Sequence, residues 1–211
     1  MQNTKQVPGK ITVLGAGAWG TAVAIALAAR HDVLLWGRNE SAMQDLAAAR
    51  ENRGYLPGFA LPPALRITAD FDAAVAHVTD AAGAGAPLLI AACPVAGLRP
   101  LLEQLKPYPI PNVVWLCKGF ENGTGLLPHQ VVREVLGDKV PGAALSGPSF
   151  AQEVAHGRPR ATSCASAWSR WSTAAISGSI RATTWSASKW AARSRTCWRS
   201  RPAWPTASGW A

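Results

Sequence analysis

Three glycines near the N-terminus have the spacing of a phosphate-binding turn. The segment "ITVLGAGAWGTAVAIALA" contains Gly15, Gly17 and Gly20 in the pattern GxGxxG, after a short apolar run and before an Ala-rich run. In such a turn the first glycine permits the tight bend, the second lets the backbone approach a pyrophosphate, and the third permits close helix packing. The segment predicts a strand, turn and helix that bind a dinucleotide; the alternative is a glycine turn without a ligand.

A basic residue follows the second predicted strand, where a dinucleotide fold distinguishes its cofactors. The run "DVLLWGRN" ends in Arg38 and Asn39. An Asp or Glu at this place binds the ribose hydroxyls of NAD, whereas an Arg suits the 2′-phosphate of NADP. Arg38 therefore favours NADP(H), with NAD as the second choice. Two alternatives stay open: Glu40 supplies the acidic residue if the strand ends later, or Arg38 is only a solvated surface residue.

Apolar runs and helix-like segments alternate along most of the chain. Strands are predicted in six runs rich in Val, Ile, Leu or Ala: residues 10–14, 32–39, 65–71, 87–95, 112–120 and 142–150. Helices are predicted at residues 21–30, 41–53, 72–78, 97–105 and 126–137, with Ser41 as the N-cap of the second. This alternation indicates the α/β class, with a doubly wound, mostly parallel Rossmann sheet covered on both faces.

The net charge of +9 is confined to the last quarter of the chain. Residues 1–153 carry twelve Lys/Arg and twelve Asp/Glu, whereas residues 154–211 carry nine Lys/Arg and no acidic residue. Residues 158–211 contain seven Trp and eleven Ser, but only two aliphatic residues besides Ala. They offer no helical or strand period and no apolar set for a core. We therefore predict a dinucleotide-binding domain at residues 1–157 and an aberrant tail without a stable domain at residues 158–211.

The cysteines and the termini predict a soluble cytoplasmic protein without a metal site. Cys93, Cys117, Cys164 and Cys197 show no CxxC spacing and no clustered His, so neither a zinc site nor a disulfide framework is indicated. Reduced thiols are expected. The N-terminus lacks the apolar core of a signal peptide, and no apolar run reaches the ~18 residues that span a bilayer.

Three further segments narrow the prediction to one family. "GAGAWGTAVA", "VVWLCKGFENGTGLLPHQVV" and "LSGPSFAQEVAHGRP" occur in this order. Together they resemble the bacterial NAD(P)-dependent glycerol-3-phosphate dehydrogenase family. The resemblance implies hydride transfer between nicotinamide and the central carbon of dihydroxyacetone phosphate, which yields sn-glycerol 3-phosphate for phospholipid synthesis.

The resemblance also assigns residues to the site. Lys118 is expected to contact both cofactor and substrate, because a cation at the end of a strand can meet a phosphate or an oxyanion. Gly147 and Ser149 in "SGPSF" are expected to bind the small phosphorylated substrate. Trp19 and Ala151 are expected to approach the cofactor's nicotinamide. The whole cofactor set is Gly15, Gly17, Ala18, Trp19, Gly20, Arg38, Lys118 and Ala151. Without the resemblance, Lys118 would be interpreted as a surface lysine and Ser149 as a helix cap.

The catalytic residue that the resemblance implies is missing from this sequence. In the family, a lysine on a "GGAVKN"-like helix, within an all-helical second domain, handles the proton at the substrate oxygen. No such motif occurs here, and Lys189 in "SASKWAA" does not match it. We therefore expect no catalytic residue, no helical C-terminal domain and little or no dehydrogenase activity in this chain.

The tail contains a trace of the missing motif in another reading frame. G+C-rich codons chosen for "TTWSASKWAARSRTCWRS" at residues 183–200 encode "DDLVGVEVGGAVKNVLAI" when they are read one base earlier. This indicates a frameshift, genuine or from sequencing, near Arg158 to Arg160.

Two other hypotheses are kept: a non-catalytic dinucleotide sensor, and nucleic-acid binding through the Arg/Trp tail. Because the frameshift accounts for the tail's residues and their order, no nucleic-acid or membrane partner is expected.

Overall fold

The computed structural model describes residues 9–80, 85–145 and 150–156. The strands in these ranges are β1 Gly9–Leu14, β2 Asp32–Trp36, β3 Glu51–Asn52, β4 Leu56–Ala60, β5 Arg66–Thr68, β6 Gly85–Ala91, β7 Val113–Trp115 and β8 Gly142–Ala144. The helices are α1 Ala18–Ala28, α2 Glu40–Ala49, α3 Phe71–Thr79, α4 Val95–Leu105, α5 Pro128–Leu136 and α6 Ala151–Ala155. The predicted tail at residues 158–211 lies outside the described residues.

Six strands form one sheet in the order β5-β2-β1-β6-β7-β8, and each neighbouring pair is parallel. From β1 the chain runs outward to β2 and β5, and then returns to β6 on the other side of β1. This is the doubly wound arrangement that the alternation of strands and helices predicts, so the predicted fold class is confirmed. Its switch point, the crevice where such sheets bind ligands, lies between the carboxyl ends of β1 and β6.

The two faces of the sheet each carry a hydrophobic core. Ile11 and Val13 of β1 pack on the core that α1, α2 and α6 cover, whereas Leu14 packs on the core that α3, α4 and α5 cover. The same alternation runs through β2, β6 and β7. Burying one such side chain contributes about 1.5–3 kcal/mol, which is why both faces of an apolar strand must be covered.

The start of α2 differs from the prediction. The helix begins at Glu40, and its N-cap is Asn39, whose Oδ1 accepts a hydrogen bond of 2.9 Å from the amide of Ala42. Ser41 lies inside the helix, so its prediction as the N-cap was wrong. Asn and Ser cap helices about equally well. Because β2 ends at Trp36, Asn39 and not Ser41 lies at the start of α2.

The end of α2 leads into a hairpin that the sequence did not predict. The helix ends at Ala49 because Arg50 adopts a left-handed conformation, with φ of 49°. The chain then forms the antiparallel strands β3 and β4, where a helix was predicted as far as residue 53. The Arg50 guanidinium donates to the backbone carbonyls of Pro62 and Leu65, which ties this corner to the loop before β5.

Candidate functional site

Two glycines of the turn between β1 and α1 are required by packing. Gly15 has φ of +122°, and a Cβ there would lie 2.4 Å from the carbonyl oxygen of Ala92. A Cβ on Gly20 would lie 1.8 Å from the carbonyl oxygen of Gly15. Because both neighbours are backbone atoms, neither position can hold a side chain unless the main chain moves. The turn is thereby pressed against β6 at the switch point of the sheet.

The third glycine of the motif, Gly17, is in open surroundings. A Cβ there would meet no atom within 4 Å. Gly17 is also the N-cap of α1, which has no side-chain cap and no acidic residue in its first turn. The amides of that turn and the positive end of the helix dipole are therefore left for an anion, and the bare backbone at Gly17 admits one closely.

A buried asparagine holds the turn in place. The Nδ2 of Asn52 donates to the carbonyl oxygen of Ala16 at 2.9 Å and to Oγ1 of Thr21 at 2.7 Å. Its Oδ1 accepts from the amide of Tyr55 at 3.2 Å. Asn52 belongs to the hairpin that was not predicted, and no motif in the sequence marks it. It joins the turn, the first helix and the hairpin through three hydrogen bonds in a buried place.

Arg38 lies at the same edge of the sheet and is exposed. It comes two residues after the end of β2, whose last residue, Trp36, accepts a 2.9 Å hydrogen bond from the amide of Gly15. The alternative that Glu40 takes this place required a longer strand. The strand instead ends early, and Glu40 lies in α2 with its Oε1 accepting from Gln44 at 3.2 Å. Arg38 is thus the better placed of the two beside the turn.

Lys118 and Trp19, far apart in the sequence, meet at the carboxyl edge. Lys118 is exposed and follows the end of β7 at Trp115 by three residues. Its ammonium lies 6.0 Å from the ring centre of Trp19, in the first turn of α1. This distance is the outer limit of a cation–π contact. The glycine turn and the predicted substrate lysine therefore share one surface.

A charged network fixes the loop that carries Lys118. Arg99 on α4 donates to both carboxylate oxygens of Glu121 at 2.8 and 2.9 Å, and also to Glu134 on α5 at 3.0 Å. The Arg99 guanidinium, followed by the hydroxyl of Thr124, lowers the pKa of Glu121 to about 2. The side chain of Glu121 is only 10% exposed, so the loop is anchored on the inside and Lys118 projects from it.

The remaining predicted residues divide into two groups. Ala18 is the first residue of α1, and Ala151 is the first residue of α6. Ala151 and Trp19 are half-buried against the same core. The starts of α1 and α6 therefore lie close to the surface that the glycine turn shares with Lys118. Gly147 and Ser149 fall between β8 and α6, outside the described residues.

An open cavity of about 770 Å³ lies at the opposite, amino edge of the sheet. There the Arg66 guanidinium binds the Asp32 carboxylate at 3.0 and 3.2 Å and also donates to Nδ1 of the buried His77 at 2.8 Å. These charges bind one another, whereas doubly wound sheets bind ligands at the carboxyl ends of their strands. The glycine edge is therefore the candidate site, although the cavity lies at the other edge.

Two classes of site find no support in the described ranges. No group of three or more His, Cys, Asp and Glu side chains there could hold a metal ion. No helix in the same ranges is long and apolar enough to cross a membrane.

Comparison with known proteins connects this chain with one family. Residues 10–172 match the family of the NAD-dependent glycerol-3-phosphate dehydrogenase N-terminus. The chain is 65% identical over 150 residues to a glycerol-3-phosphate dehydrogenase [NAD(P)+] of Paucimonas lemoignei, and 62% identical over 157 residues to that of Herminiimonas arsenicoxydans. These matches cover 71% and 74% of this chain but only 44% and 46% of the relatives. The chain thus spans about half the length of the curated relatives it matches.

A solved structure of the same family has a similar fold. The crystal structure of a glycerol-3-phosphate dehydrogenase from Coxiella burnetii aligns with a TM-score of 0.62 at 33% identity, covering 72% of this chain and 44% of that one. The described part of this chain therefore has the fold of the corresponding part of that structure.

Proposed function

Because this chain belongs to the NAD-dependent glycerol-3-phosphate dehydrogenase family through its N-terminal domain, we propose that its carboxyl edge binds NADP(H), or less favourably NAD(H). The relatives are named glycerol-3-phosphate dehydrogenase [NAD(P)+], and we infer that the reaction served is the interconversion of dihydroxyacetone phosphate and sn-glycerol 3-phosphate. The observation that carries the proposal is Gly17, a helix N-cap with open space where a side chain would be. A pyrophosphate fits such a position.

In this proposal, the residues around Gly17 bind different parts of the dinucleotide. Gly15 and Gly20 keep the turn tight, and the amides from Ala18 onward bind the pyrophosphate. Arg38, exposed beyond β2, binds the 2′-phosphate that distinguishes NADP from NAD. Trp19 and Ala151 border the nicotinamide, and this group, when bound, supplies the hydride.

Lys118 serves the substrate as well as the cofactor. Its ammonium lies beside Trp19, and a flexible cation there can meet a substrate phosphate or the carbonyl oxygen that is reduced. Gly147 and Ser149 complete the substrate site with backbone and hydroxyl groups. Arg99 and Glu121 anchor the loop from which Lys118 extends.

We further propose that this polypeptide binds the dinucleotide but does not turn over the substrate. No "GGAVKN"-like segment occurs in the sequence, so no lysine is assigned to proton transfer. The hypothesis that goes with this proposal is a change of reading frame near Arg158 to Arg160, upstream of the segment at residues 183–200. Sequencing the gene across codons 155 to 165 locates the change of frame, and sequencing on through codon 200 tests the hypothesis directly, because another frame without a "GGAVKN"-like stretch there would exclude it.

The binding proposal is tested by titrating the full chain with NADPH and NADH while the quenching of tryptophan fluorescence is followed. We expect saturable binding of NADPH that is tighter than that of NADH. Arg38→Ala should remove this difference, whereas Arg30→Ala, an exposed residue at the far end of α1, should leave it unchanged. No binding of either cofactor would contradict the proposal.

Catalysis is measured on the same preparations as oxidation of NADPH in the presence of dihydroxyacetone phosphate. Binding without turnover is the expected result. Steady turnover by this polypeptide would show that another residue replaces the lysine, and it would exclude the proposed loss of activity without affecting the cofactor site.

A further inference from the structure

Two cysteines that are 24 residues apart in the sequence reach the same place in the sheet. Cys93 follows β6 and Cys117 follows β7, and these strands pair in parallel with Ala91 opposite Trp115. The amide of Leu116 donates to the carbonyl oxygen of Ala91 at 3.0 Å, and this bond completes the last pair of the ladder. Cys93 and Cys117 each lie two residues beyond this last pair, so the register of the strands places them near each other.

Both side chains also point to the same face of the sheet. Ala91 and Cys93 on one strand, and Trp115 and Cys117 on the other, all pack on the core covered by α3, α4 and α5. A Cβ on Gly97 would lie 3.6 Å from the Cβ and 3.9 Å from the Sγ of Cys93, so this thiol lies beneath the first turn of α4. Equal register and equal face make the two thiols neighbours across the strand pair.

The surroundings keep both thiols protonated at neutral pH. Burial raises the pKa of Cys93 to about 11. Burial, followed by the charge of a neighbouring Cys93 thiolate, raises the pKa of Cys117 to about 11. The effect of one thiol on the other agrees with the register. Both cysteines are reduced and half-buried.

We propose that Cys93 and Cys117 form a dithiol that hydrogen peroxide oxidises to a disulfide across the carboxyl ends of β6 and β7. One sulfur, as the thiolate, attacks a peroxide oxygen; the O–O bond breaks, a sulfenic acid forms, and the departing hydroxide takes up the thiol proton as water. The second sulfur then attacks the first, the S–O bond breaks, and a second water leaves. Two electrons pass from the sulfurs to the peroxide, which is reduced to two waters.

The disulfide would act on the cofactor edge, a consequence that rests on the proposed function. Neighbouring strands are about 4.8 Å apart, whereas a disulfide brings two Cβ atoms to about 3.8 Å. Closure therefore draws the strand ends together by about 1 Å. Ala92, against which Gly15 is packed, and Lys118 each adjoin one of these cysteines, so the oxidised chain should bind the dinucleotide more weakly.

The test uses the full chain with Cys164→Ser and Cys197→Ser, which leaves the two thiols of the pair. After treatment with hydrogen peroxide, we expect both thiols to disappear together and the mass to fall by about 2 Da without added oxygen. Dithiothreitol should reverse the change. The matched control that also carries Cys117→Ser should retain Cys93 as a thiol or gain oxygen. Because thiolate is the reacting form, the rate should rise about tenfold per pH unit between pH 7 and pH 9.

Peptide mapping of the unsubstituted chain keeps the test valid if a variant folds poorly. In the native chain a Cys93–Cys117 peptide pair should dominate, and in denaturant it should lose that preference over pairs with Cys164 and Cys197. Oxygen added to single cysteines, or disulfides only between chains, would overturn the proposal. The mass measurement needs no dinucleotide, so it tests the disulfide even if the reduced chain binds no cofactor. Equal cofactor binding by the reduced and oxidised chains would refute only the effect of the disulfide on the cofactor edge.

Discussion

The two edges of the sheet differ in the groups that they present. At the amino edge, Arg66, Asp32 and His77 bind one another, and the histidine is buried. At the carboxyl edge, Arg38 and Lys118 are exposed beside a turn of bare backbone. The cavity lies at the amino edge, whereas the glycine turn that is proposed to bind the cofactor lies at the carboxyl edge. The proposed function therefore predicts that the ligand binds at the turn of bare backbone and not in the concave surface at the amino edge.

The largest expected effect is a difference in stability between substitutions at two glycines of one motif. Gly20→Ala should destabilise the fold by about 3 kcal/mol, because its Cβ would lie 1.8 Å from a backbone oxygen. This outweighs the roughly 1 kcal/mol that alanine gains over glycine inside a helix. Thermal unfolding measures the difference.

Gly17→Ser is the matched control for that change. A Cβ meets no atom within 4 Å at this place, and a serine hydroxyl can cap the amides of α1, so stability should not fall. The hydroxyl then occupies the amides on which a phosphate depends, and dinucleotide binding should be lost. Equal stability of the two variants would contradict the distinction between packing and binding glycines.

The next effect concerns the hydrogen bonds that hold the turn. Asn52→Ala removes the bonds to Ala16 and Thr21 and leaves buried acceptors without a partner, which should cost about 2 kcal/mol. It should also weaken cofactor binding, because the turn is no longer fixed. Denaturant unfolding and NADPH titration test both consequences. A loss of stability with unchanged affinity would show that Asn52 supports the fold alone.

The amino edge should respond to pH. Burial lowers the pKa of His77, despite the hydrogen bond from its ring to Asp32, and burial followed by Arg30 lowers the pKa of His31. The fold thus favours neutral rings, so the free energy of unfolding should fall as pH drops below about 6.5, the unfolded value. His77→Gln should flatten this slope. The same change at the exposed His129 should not.

The smallest effect is expected at the loop beneath Lys118. The pKa of Glu121 is about 2, so its pairing with Arg99 stabilises the fold above about pH 4.5 and is lost as pH falls towards 2. Glu121→Gln should lower stability slightly at neutral pH and reduce acid sensitivity in that window. Glu103→Gln, an exposed control on the same helix as Arg99, should change neither.

The sequence was most informative where local pattern and tertiary structure coincide. Gly15 and Gly20 could be predicted because their spacing reflects a packing constraint within one short segment, and the parallel, doubly wound sheet followed from the alternation of strands and helices. Asn52 could not, because its partners lie on the turn and on α1, across a hairpin without a signature. The pairing of Cys93 with Cys117 depends on strand register, which sequence spacing does not contain. Gly147 and Ser149, outside the described residues, remain predictions.

The most direct test of the central claim compares the edges by NADPH titration of three full-length proteins: the unsubstituted chain, Gly17→Ser and Arg66→Gln. We predict that the unsubstituted chain and Arg66→Gln bind NADPH with similar affinity, whereas Gly17→Ser binds at least about tenfold more weakly, a loss of about 1.4 kcal/mol. Retained affinity in Gly17→Ser together with loss of affinity in Arg66→Gln would contradict the account and place the ligand at the amino edge.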